Sequence, residues 1–290
     1  MKIAILGARG FLGKNLVRHL VAQGNEVTGF VLELPNVNTD GITYETVNQL
    51  LNSKQDELKA FDVTINLAAR RSTNNTPYSV EDVREFTLNI PKEFILRTAS
   101  PRTLVINAST YIQNFQGVVG QTVDSYGAAK QALSEFLNSQ SRIDSFRTLD
   151  LFLFTIYGPG DRENHLVPSL LKAAEFGAAI DLSPGHQFMN LLYVEDAISN
   201  ISLALDFQSD KYYEKHYMWA PEYFSVRELV SVIEEITKRK IDSNWGGRNY
   251  AGHEMMEPWL MPMSQLPNFK VKVPLIDGIS RMWNRMQTSS

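Results

Sequence analysis

Hydrophobic and polar positions alternate in blocks along the first part of the chain. Residues 2–6 are a short run of apolar side chains that ends at Gly7, which predicts a buried strand. Between Phe11 and Val21 the apolar residues recur every three or four positions, as on one face of a helix. Residues 27–32 form a second apolar run. This pattern predicts a strand, a helix and a second strand.

The same alternation continues through the middle of the chain. The pattern predicts further strands at 42–46, 63–67, 103–107 and 147–154, and helices at 81–99 and 126–139. Strands that alternate with helices are typical of a parallel sheet with helices on both faces. The sequence therefore predicts an α/β protein built on a Rossmann doubly wound parallel sheet.

The composition changes in the second half of the chain. Predicted helices at 165–176 and 225–238 are separated there by short strand-like pieces and by more Pro, Gly, Trp and Met. We expect a Rossmann domain at 1–158 and a smaller α/β domain at 159–290 that mainly binds substrate. Segments such as 188–206 are expected to return to the first domain.

Composition narrows the classes of function. The chain of 290 residues has no cysteine, which excludes disulfides and thiolate metal sites. Its formal net charge of −4 favours neither nucleic acid nor an anionic membrane as a partner. The five histidines lack a metal-binding spacing, and no apolar run approaches the ~18 residues of a membrane span. We expect a cytoplasmic protein without a metal, and we expect residues 286–290 to be frayed.

Three glycines lie between the first strand and the first helix. Gly7 would let the chain turn sharply, Gly10 would let the backbone approach a pyrophosphate, and Gly13 would let the helix pack closely on the sheet. The amino end of the helix would offer free N–H groups to phosphate oxygens. The strand, turn and helix around these glycines predict a dinucleotide-binding loop.

A second group of residues could transfer a proton. Tyr126 and Lys130 lie four positions apart, and therefore on one face of the predicted helix at 126–139. A free tyrosine has a pKa near 10, and a neighbouring ammonium lowers that pKa. Ser109 and Thr110 close the strand before this helix, at the edge where such sheets bind ligands. Either hydroxyl could instead cap the local backbone.

Motifs along most of the chain resemble the extended short-chain dehydrogenase/reductase family. The matching segments are 7–13 (GxxGxxG), 62–69, Asn89, 126–130 (YxxxK), 157–160 and 192–197. The resemblance implies that Thr110, Tyr126 and Lys130 are catalytic, with Thr110 holding the substrate oxygen and Lys130 also contacting the nicotinamide ribose. It implies a homodimer formed through the helices at 81–99 and 126–139. The cofactor contacts that it implies are Gly7, Arg9, Gly10, Phe11, Leu12, Leu67, Ala68, Ala69, Tyr126, Lys130 and Ile156.

The end of the second strand bears on the choice of cofactor. NAD-preferring members of the family carry an acidic residue there, which holds the ribose 2′-hydroxyl. Here Val31 or Leu32 stands at that place, and Glu33 follows. Arg9 is placed to meet a 2′-phosphate, as in GDP-fucose-synthase-like reductases, or is a solvated loop arginine. We expect NADP(H), with NAD(H) as the alternative if Glu33 reaches the ribose.

The substrate class follows from two further resemblances. Dehydratases of the family carry an acidic pair after the catalytic hydroxyl, whereas here Tyr111 and Ile112 follow Thr110, so dehydration is not expected. The segments 167–171, 180–185 and 192–196 are similar to CDP-sugar 4-ketoreductases of the abequose- and paratose-synthase type. The implied reaction is NADPH-dependent reduction of a nucleotide-linked 4-keto-6-deoxysugar, a CDP- or dTDP-4-ketohexose, with Tyr126 as the proton donor.

Contacts with the nucleotide sugar are expected from Arg70, Ser109 and Arg248. Arg70 and its neighbour Arg71 could bind a diphosphate, or could form a solvated pair, and the sequence leaves both readings open. Two other functions also stay open. One is an NAD-dependent nucleotide-sugar 4-epimerase, and the other is a non-catalytic NADP-binding regulatory protein.

Overall fold

A computed structural model describes residues 1–38, 41–53, 58, 61–72, 76–259 and 263–289. Its centre is a seven-stranded sheet in the order β11-β6-β5-β4-β1-β2-β3, with every neighbouring pair parallel. The strands are β1 (Lys2–Leu6), β2 (Glu26–Val31), β3 (Thr43–Thr46), β4 (Val63–Asn66), β5 (Leu104–Thr110), β6 (Arg147–Leu153) and β11 (Tyr213–Met218). The predicted Rossmann-like α/β fold is confirmed.

Helices cover both faces of this sheet. They are α1 (Phe11–Ala22), α2 (Val47–Asn52), α3 (Val80–Arg84), α4 (Ile90–Thr98), α5 (Ser125–Ile143) and α7 (Val194–Leu203). Ile3 and Ile5 pack on the side of α1 and α7, whereas Ala4 and Leu6 pack on the side of α2, α4 and α5. Because successive side chains of a strand point to opposite faces, a sheet covered on both faces needs uninterrupted apolar strands. This explains the short apolar runs in the sequence.

Many of the described residues after residue 156 pack around a separate apolar cluster, which contains Tyr157, Leu191, Tyr193, Ile233 and Ile279. Three small two-stranded sheets accompany it, formed by β7 with β10, β9 with β12, and β8 with β13. Their strands are β7 (Thr155–Tyr157), β8 (Ile180–Leu182), β9 (Phe188–Met189), β10 (Leu191–Tyr193), β12 (Phe224–Ser225) and β13 (Ser243–Trp245). The helices here are α6 (Leu166–Phe176), α8 (Val226–Thr237) and α9 (Leu275–Ser289).

The chain passes between the two regions more than once after residue 158. Helix α7 packs against α1, and β11 joins the edge of the large sheet beside β6. The division into domains at 1–158 and 159–290 stays a prediction. Within the described residues no helix is long and apolar enough to cross a membrane.

Two segments differ from the predicted elements. The helix predicted at 81–99 contains a π-helical turn, Glu85–Asn89, between α3 and α4. Pro91 follows this turn, and since proline has no N–H it cannot donate to the carbonyl four residues earlier. The expectation of a frayed terminus is wrong for residues 286–289, because they belong to α9. Residue 290 lies outside the described residues.

Candidate active site

The glycine loop brings β1 and α1 unusually close together. Gly7 has a φ of +82°, a conformation that side chains other than glycine rarely adopt. A Cβ on Gly13 would collide with the carbonyl oxygen of Gly7 and lie 2.8 Å from the carbonyl carbon of Ala8. Gly10 is the N-cap of α1, and no side chain of the described residues caps that helix end. The free N–H groups there suit a pyrophosphate, so the loop fits a dinucleotide.

The other predicted cofactor contacts lie on neighbouring parts of the fold. A Cβ on Gly7 would come within 3.0 Å of the backbone nitrogen of Ala68, so the two strand ends are in contact. Leu67 and Ala68 are half-buried and Ala69 is exposed. Phe11 and Leu12 open α1, and Ile156 pairs with Leu192 between β7 and β10.

Arg9 reaches the end of β2. Its Nη1 lies 3.4 Å from the carbonyl oxygen of Glu33, and the arginine is exposed. Strand β2 ends at Val31, and Leu32 is 52 % exposed. The guanidinium therefore lies at the strand end where the sequence lacks an acidic residue.

Thr110 and Tyr126 meet at the carboxyl edge of the sheet. Thr110 is the last residue of β5, where its hydroxyl accepts a hydrogen bond of 3.5 Å from the N–H of Ile112. The same hydroxyl lies near enough to the phenol of Tyr126 to lower its pKa. Tyr126 lies in the first turn of α5, which Asp124 caps by accepting a hydrogen bond of 2.7 Å from the N–H of Gly127. The end of a strand and the start of a helix thus hold two hydroxyls together.

Burial raises the pKa of Tyr126 above its usual value of 10. The positive charge of Arg71 and the hydroxyl of Thr110 lower that pKa, while the negative charge of Asp124 raises it. The net effect keeps the phenol protonated at neutral pH, which is the state that a proton donor needs.

Lys130 lies one helical turn beyond Tyr126 and is 1 % exposed. Its Nζ donates to the carbonyl oxygens of Ala108, at 2.6 Å, and Ala68, at 3.3 Å. Burial lowers the pKa of Lys130 to about 8, and the negative charge of Asp150 acts in the opposite direction. The ammonium therefore links α5 to the ends of β4 and β5.

Arg71, which the sequence analysis named with Arg70 as a possible diphosphate-binding pair, lies beside Tyr126. Its guanidinium lies over the ring of Tyr126, 5.5 Å from the ring centroid. Nη2 donates to Nε2 of His253 at 2.7 Å, and Asp124 lies 3.8 Å away. Burial and the positive charge of Arg71 lower the pKa of His253. Two adjacent arginines after a strand gave no signal that separates their roles.

The three residues that were predicted to contact substrate have different surroundings in the structure. Arg70 stacks on Phe86, 3.5 Å from the ring centroid, and lies 3.8 Å from Asp82. The hydroxyl of Ser109 is buried and donates to Asp150 at 2.6 Å, so it is already engaged inside the protein. Arg248 is exposed beside β8, where its backbone N–H donates to the carbonyl of Leu182. The binding of substrate by these three residues stays a prediction.

Comparison with known proteins places this geometry among enzymes of nucleotide sugars. The model of the NAD dependent epimerase/dehydratase family matches residues 3–218. The chain is 26 % identical to CDP-abequose synthase of Yersinia pseudotuberculosis over 268 residues, which cover 89 % of this chain and 92 % of that protein.

Two solved structures share the fold over the whole chain. MoeE5, solved in complex with UDP-glucuronic acid and NAD, superposes with a TM-score of 0.86 at 18 % identity and covers 100 % of both chains. UDP-glucuronic acid 4-epimerase of Bacillus cereus, in complex with UDP-glucuronic acid and NAD, has a TM-score of 0.84 at 18 % identity, again with 100 % of both chains covered.

Proposed function

The chain belongs to the NAD dependent epimerase/dehydratase family, and we propose that it reduces the 4-keto group of a nucleotide-linked 6-deoxysugar with NADPH. The observation that carries the proposal is the placement of Thr110 at the end of β5 beside Tyr126 in the first turn of α5, with Lys130 one helical turn away and bonded to the carbonyl of Ala108 on β5. The family makes the chain an NAD(P)-dependent enzyme of the extended short-chain dehydrogenase/reductase type.

The residues of the site divide the reaction between them. NADPH, when bound, supplies the hydride that adds to C4 of the sugar. Tyr126 donates its phenolic proton to the carbonyl oxygen, which becomes the hydroxyl of the product. Thr110 donates a hydrogen bond to the same oxygen as negative charge develops on it. Lys130 stabilises the phenolate that remains on Tyr126, because an ammonium favours a nearby anion.

The similarity to CDP-abequose synthase supports a keto sugar as the substrate. Tyr111, the residue after Thr110, stacks on Phe154 with ring centroids 4.6 Å apart. Trp259 lies against the same tyrosine at 5.6 Å. These rings belong to a buried apolar cluster beside the strand end that carries Thr110, and we infer that this cluster would meet the deoxygenated carbons of a 6-deoxysugar.

Arg9 supports NADPH over NADH. The guanidinium of Arg9 is exposed and bonds to the backbone carbonyl of Glu33. Val31 and Leu32 stand at the end of β2, so this guanidinium offers a partner to a 2′-phosphate. Arg9→Ala is expected to weaken NADPH binding by roughly 10-fold or more and to leave NADH binding nearly unchanged. Arg18→Ala, farther along α1, is the control. Equal losses for both cofactors would refute this assignment.

The 4-epimerase remains the second candidate, because MoeE5 and the Bacillus cereus epimerase were both solved with NAD and share the fold. NADPH oxidation with CDP-, dTDP- and GDP-4-keto-6-deoxysugars tests the reductase. Turnover with one of them supports the proposal. Conversion of a nucleotide sugar by protein-bound NAD, without net oxidation, supports the epimerase. Binding of NADPH without either reaction would favour a regulatory protein.

We also propose a homodimer formed through α3, α4 and α5. Phe136 on α5 stays half-buried, with Nζ of Lys92 4.6 Å from its ring centroid. A second copy could cover this ring. Light scattering should show a dimer for the natural chain and a monomer for Phe136→Glu, and a monomer for both would contradict the proposal.

A further inference from the structure

Asp150 is a buried carboxylate that the proposed reaction does not use. It lies in the middle of β6 and is 0 % exposed. Four neutral groups donate hydrogen bonds to it. They are Asn107 Nδ2 (2.8 Å) and Ser109 Oγ (2.6 Å) to Oδ1, and Ser134 Oγ (2.6 Å) and Tyr213 OH (2.7 Å) to Oδ2. An acceptor-only carboxylate has four hydrogen-bond partners here, so the site is built around a group that accepts.

One chain of hydrogen bonds runs from Asp150 to the end of β4. The backbone N–H of Ala68 donates to Oδ1 of Asn66 at 3.1 Å. Nδ2 of Asn66 donates to Oδ1 of Asn107 at 2.7 Å, and Asn107 donates to Asp150. Every donor in this chain points toward the carboxylate. The chain therefore fixes Ala68, whose carbonyl accepts a bond from Lys130.

A second chain runs from Asp150 to Thr110. The backbone N–H of Thr110 donates to Oε1 of Gln113 at 3.0 Å. Nε2 of Gln113 donates to Oγ of Ser134 at 3.0 Å, and Ser134 donates to Asp150. The donors again point toward the carboxylate, so hydrogen bonds in the series reinforce each other. This chain fixes the backbone that carries the catalytic hydroxyl.

Lys130 lies between the two chain ends. Its hydrogen bonds go to backbone carbonyls, which carry no net charge, so the buried ammonium needs a negative charge nearby. Nζ of Lys130 donates to the carbonyl of Ala108. Ala108 lies between Asn107 and Ser109, and both of these side chains donate to Asp150, whose negative charge favours the ammonium. Among the described residues, other ionisable groups near the pair are Tyr126, one helical turn from Lys130, Tyr213, Glu135 near Tyr213, and Lys215, 5.6 Å from the Tyr213 ring centroid.

We propose that Asp150 is a positioning residue, which aligns Thr110 and Ala68 through two hydrogen-bond chains and supplies the counter-charge for the Lys130 ammonium. This inference rests on the proposed reductase, because Thr110 and Lys130 act there at the reacting atoms. It goes beyond that function, since Asp150 touches neither substrate nor cofactor.

Three variants separate the two roles. Asp150→Asn keeps the shape and removes the charge, so the alkaline limb of kcat/KM should move to lower pH by about one unit or more. Ser134→Ala keeps the charge of Asp150 and breaks the hydrogen-bond chain to Thr110. We therefore expect kcat to fall roughly 10-fold, while the alkaline limb of kcat/KM stays at the same pH. Tyr213→Phe removes one donor that belongs to neither chain and should change kcat and the limb little.

The proposal is overturned if Tyr213→Phe moves the limb as far as Asp150→Asn, or if the limb of Asp150→Asn stays in place. Should Asp150→Asn not fold, Ser134→Ala against Tyr213→Phe still tests the chain, and equal kcat values would refute it. If the natural chain turns over no keto sugar, the reductase fails separately. Denaturant unfolding of Asp150→Asn, Lys130→Met and the double variant then tests the counter-charge, and additive effects would refute it.

Discussion

Tyr126 combines two opposing influences at one phenol. Burial raises its pKa, which protects the proton at neutral pH, while Arg71 and the Thr110 hydroxyl stabilise the anion that forms after the proton leaves. A residue with this balance gives up its proton only when an acceptor is in place. The balance suits a proton donor to a carbonyl oxygen.

Replacing that phenol tests its role. Tyr126→Phe should lower kcat/KM by about 10²- to 10⁴-fold, because the carbonyl oxygen loses its proton donor. NADPH affinity, measured by fluorescence titration, should change only a few-fold. Tyr111→Phe is the matched control, since it removes a nearby phenol but retains the ring that stacks on Phe154. A comparable loss in both variants would contradict the assignment.

The lowered pKa of Lys130 predicts a pH dependence of stability. Its pKa is about 8 in the folded chain and 10.5 for an ordinary lysine. Between these values the unfolded chain binds more protons, so the free energy of unfolding rises with pH. We compare the free energy of unfolding of the natural chain with that of Lys130→Met. The difference, natural chain minus variant, should increase by roughly 2 kcal/mol from pH 7 to 9.5. Urea unfolding at both pH values measures this difference, and a constant difference would refute the lowered pKa.

At the scale of residues, the sequence predicted catalytic roles for Thr110, Tyr126 and Lys130, which stay predictions, and it did not predict the side chains that surround them. Tyr126 and Lys130 could be placed together because residues four apart lie on one face of a helix. Thr110 could be placed near them because it ends a strand. Ser109 and Thr110 are neighbours on β5, so their side chains point to opposite faces, and only one of them could face a ligand. The position of Asp150 depends on which strands are adjacent, which spacing alone does not show.

At the scale of secondary-structure elements, the junction of β1 and α1 leaves no room for a side chain at Gly13. A methyl group on Gly13 would collide with the backbone of Gly7 and Ala8. Gly13→Ala should therefore reduce the free energy of unfolding by about 1–3 kcal/mol or more and weaken NADPH binding. Gly252→Ala is the control, since a Cβ there meets nothing within 4 Å. Thermal unfolding with and without NADPH gives the comparison, and equal Tm values would contradict it.

The helices show which local patterns in the sequence were sufficient to predict an element. Apolar spacing predicted α1 and α5 because their buried residues recur every three or four positions. The π-turn was not predicted. The hydroxyl of Thr87 within it bonds to both the N–H and the carbonyl of Arg70, a contact that apolar spacing does not show. Helix α9 was missed although Leu275, Ile279 and Met282 have helical spacing, so its pattern was present in the sequence.

Over the whole molecule, the second half of the chain reaches back to the site through several contacts, one of which involves His253. His253 accepts a hydrogen bond from Arg71, which lies over Tyr126. Arg71 thereby connects the end of β4 with a loop that is 182 residues away along the chain. A substrate held between these parts would meet the guanidinium near the reacting carbon.

The two adjacent arginines test this arrangement. Arg71→Met should raise the KM for the nucleotide sugar roughly 10- to 100-fold, since a charged hydrogen-bond donor is lost. Arg70→Met should lower the Tm, because its guanidinium stacks on Phe86, and leave KM within a few-fold. Steady-state kinetics and thermal unfolding of both variants provide the measurement. A raised KM only in Arg70→Met would reverse the assignment.

Long-range pairing explains what the sequence did not show at this scale. The alternation of strands and helices was enough to predict the parallel sheet and its class. Strand β11 was not predicted within that sheet, because its partner β6 lies about sixty residues earlier and nothing local marks the pairing.

The edge position of β11 has a consequence for how the chain is made. Residues Thr148 to Leu153 of β6 pair with Tyr213 to Met218, so a nascent chain that ends before residue 213 leaves one side of β6 unpaired. That side is a row of unsatisfied N–H and C=O groups on a strand whose side chains are mostly buried. Such an edge is a template for association with other chains. We therefore expect the nascent chain to be prone to aggregation until β11 has emerged from the ribosome and paired with β6.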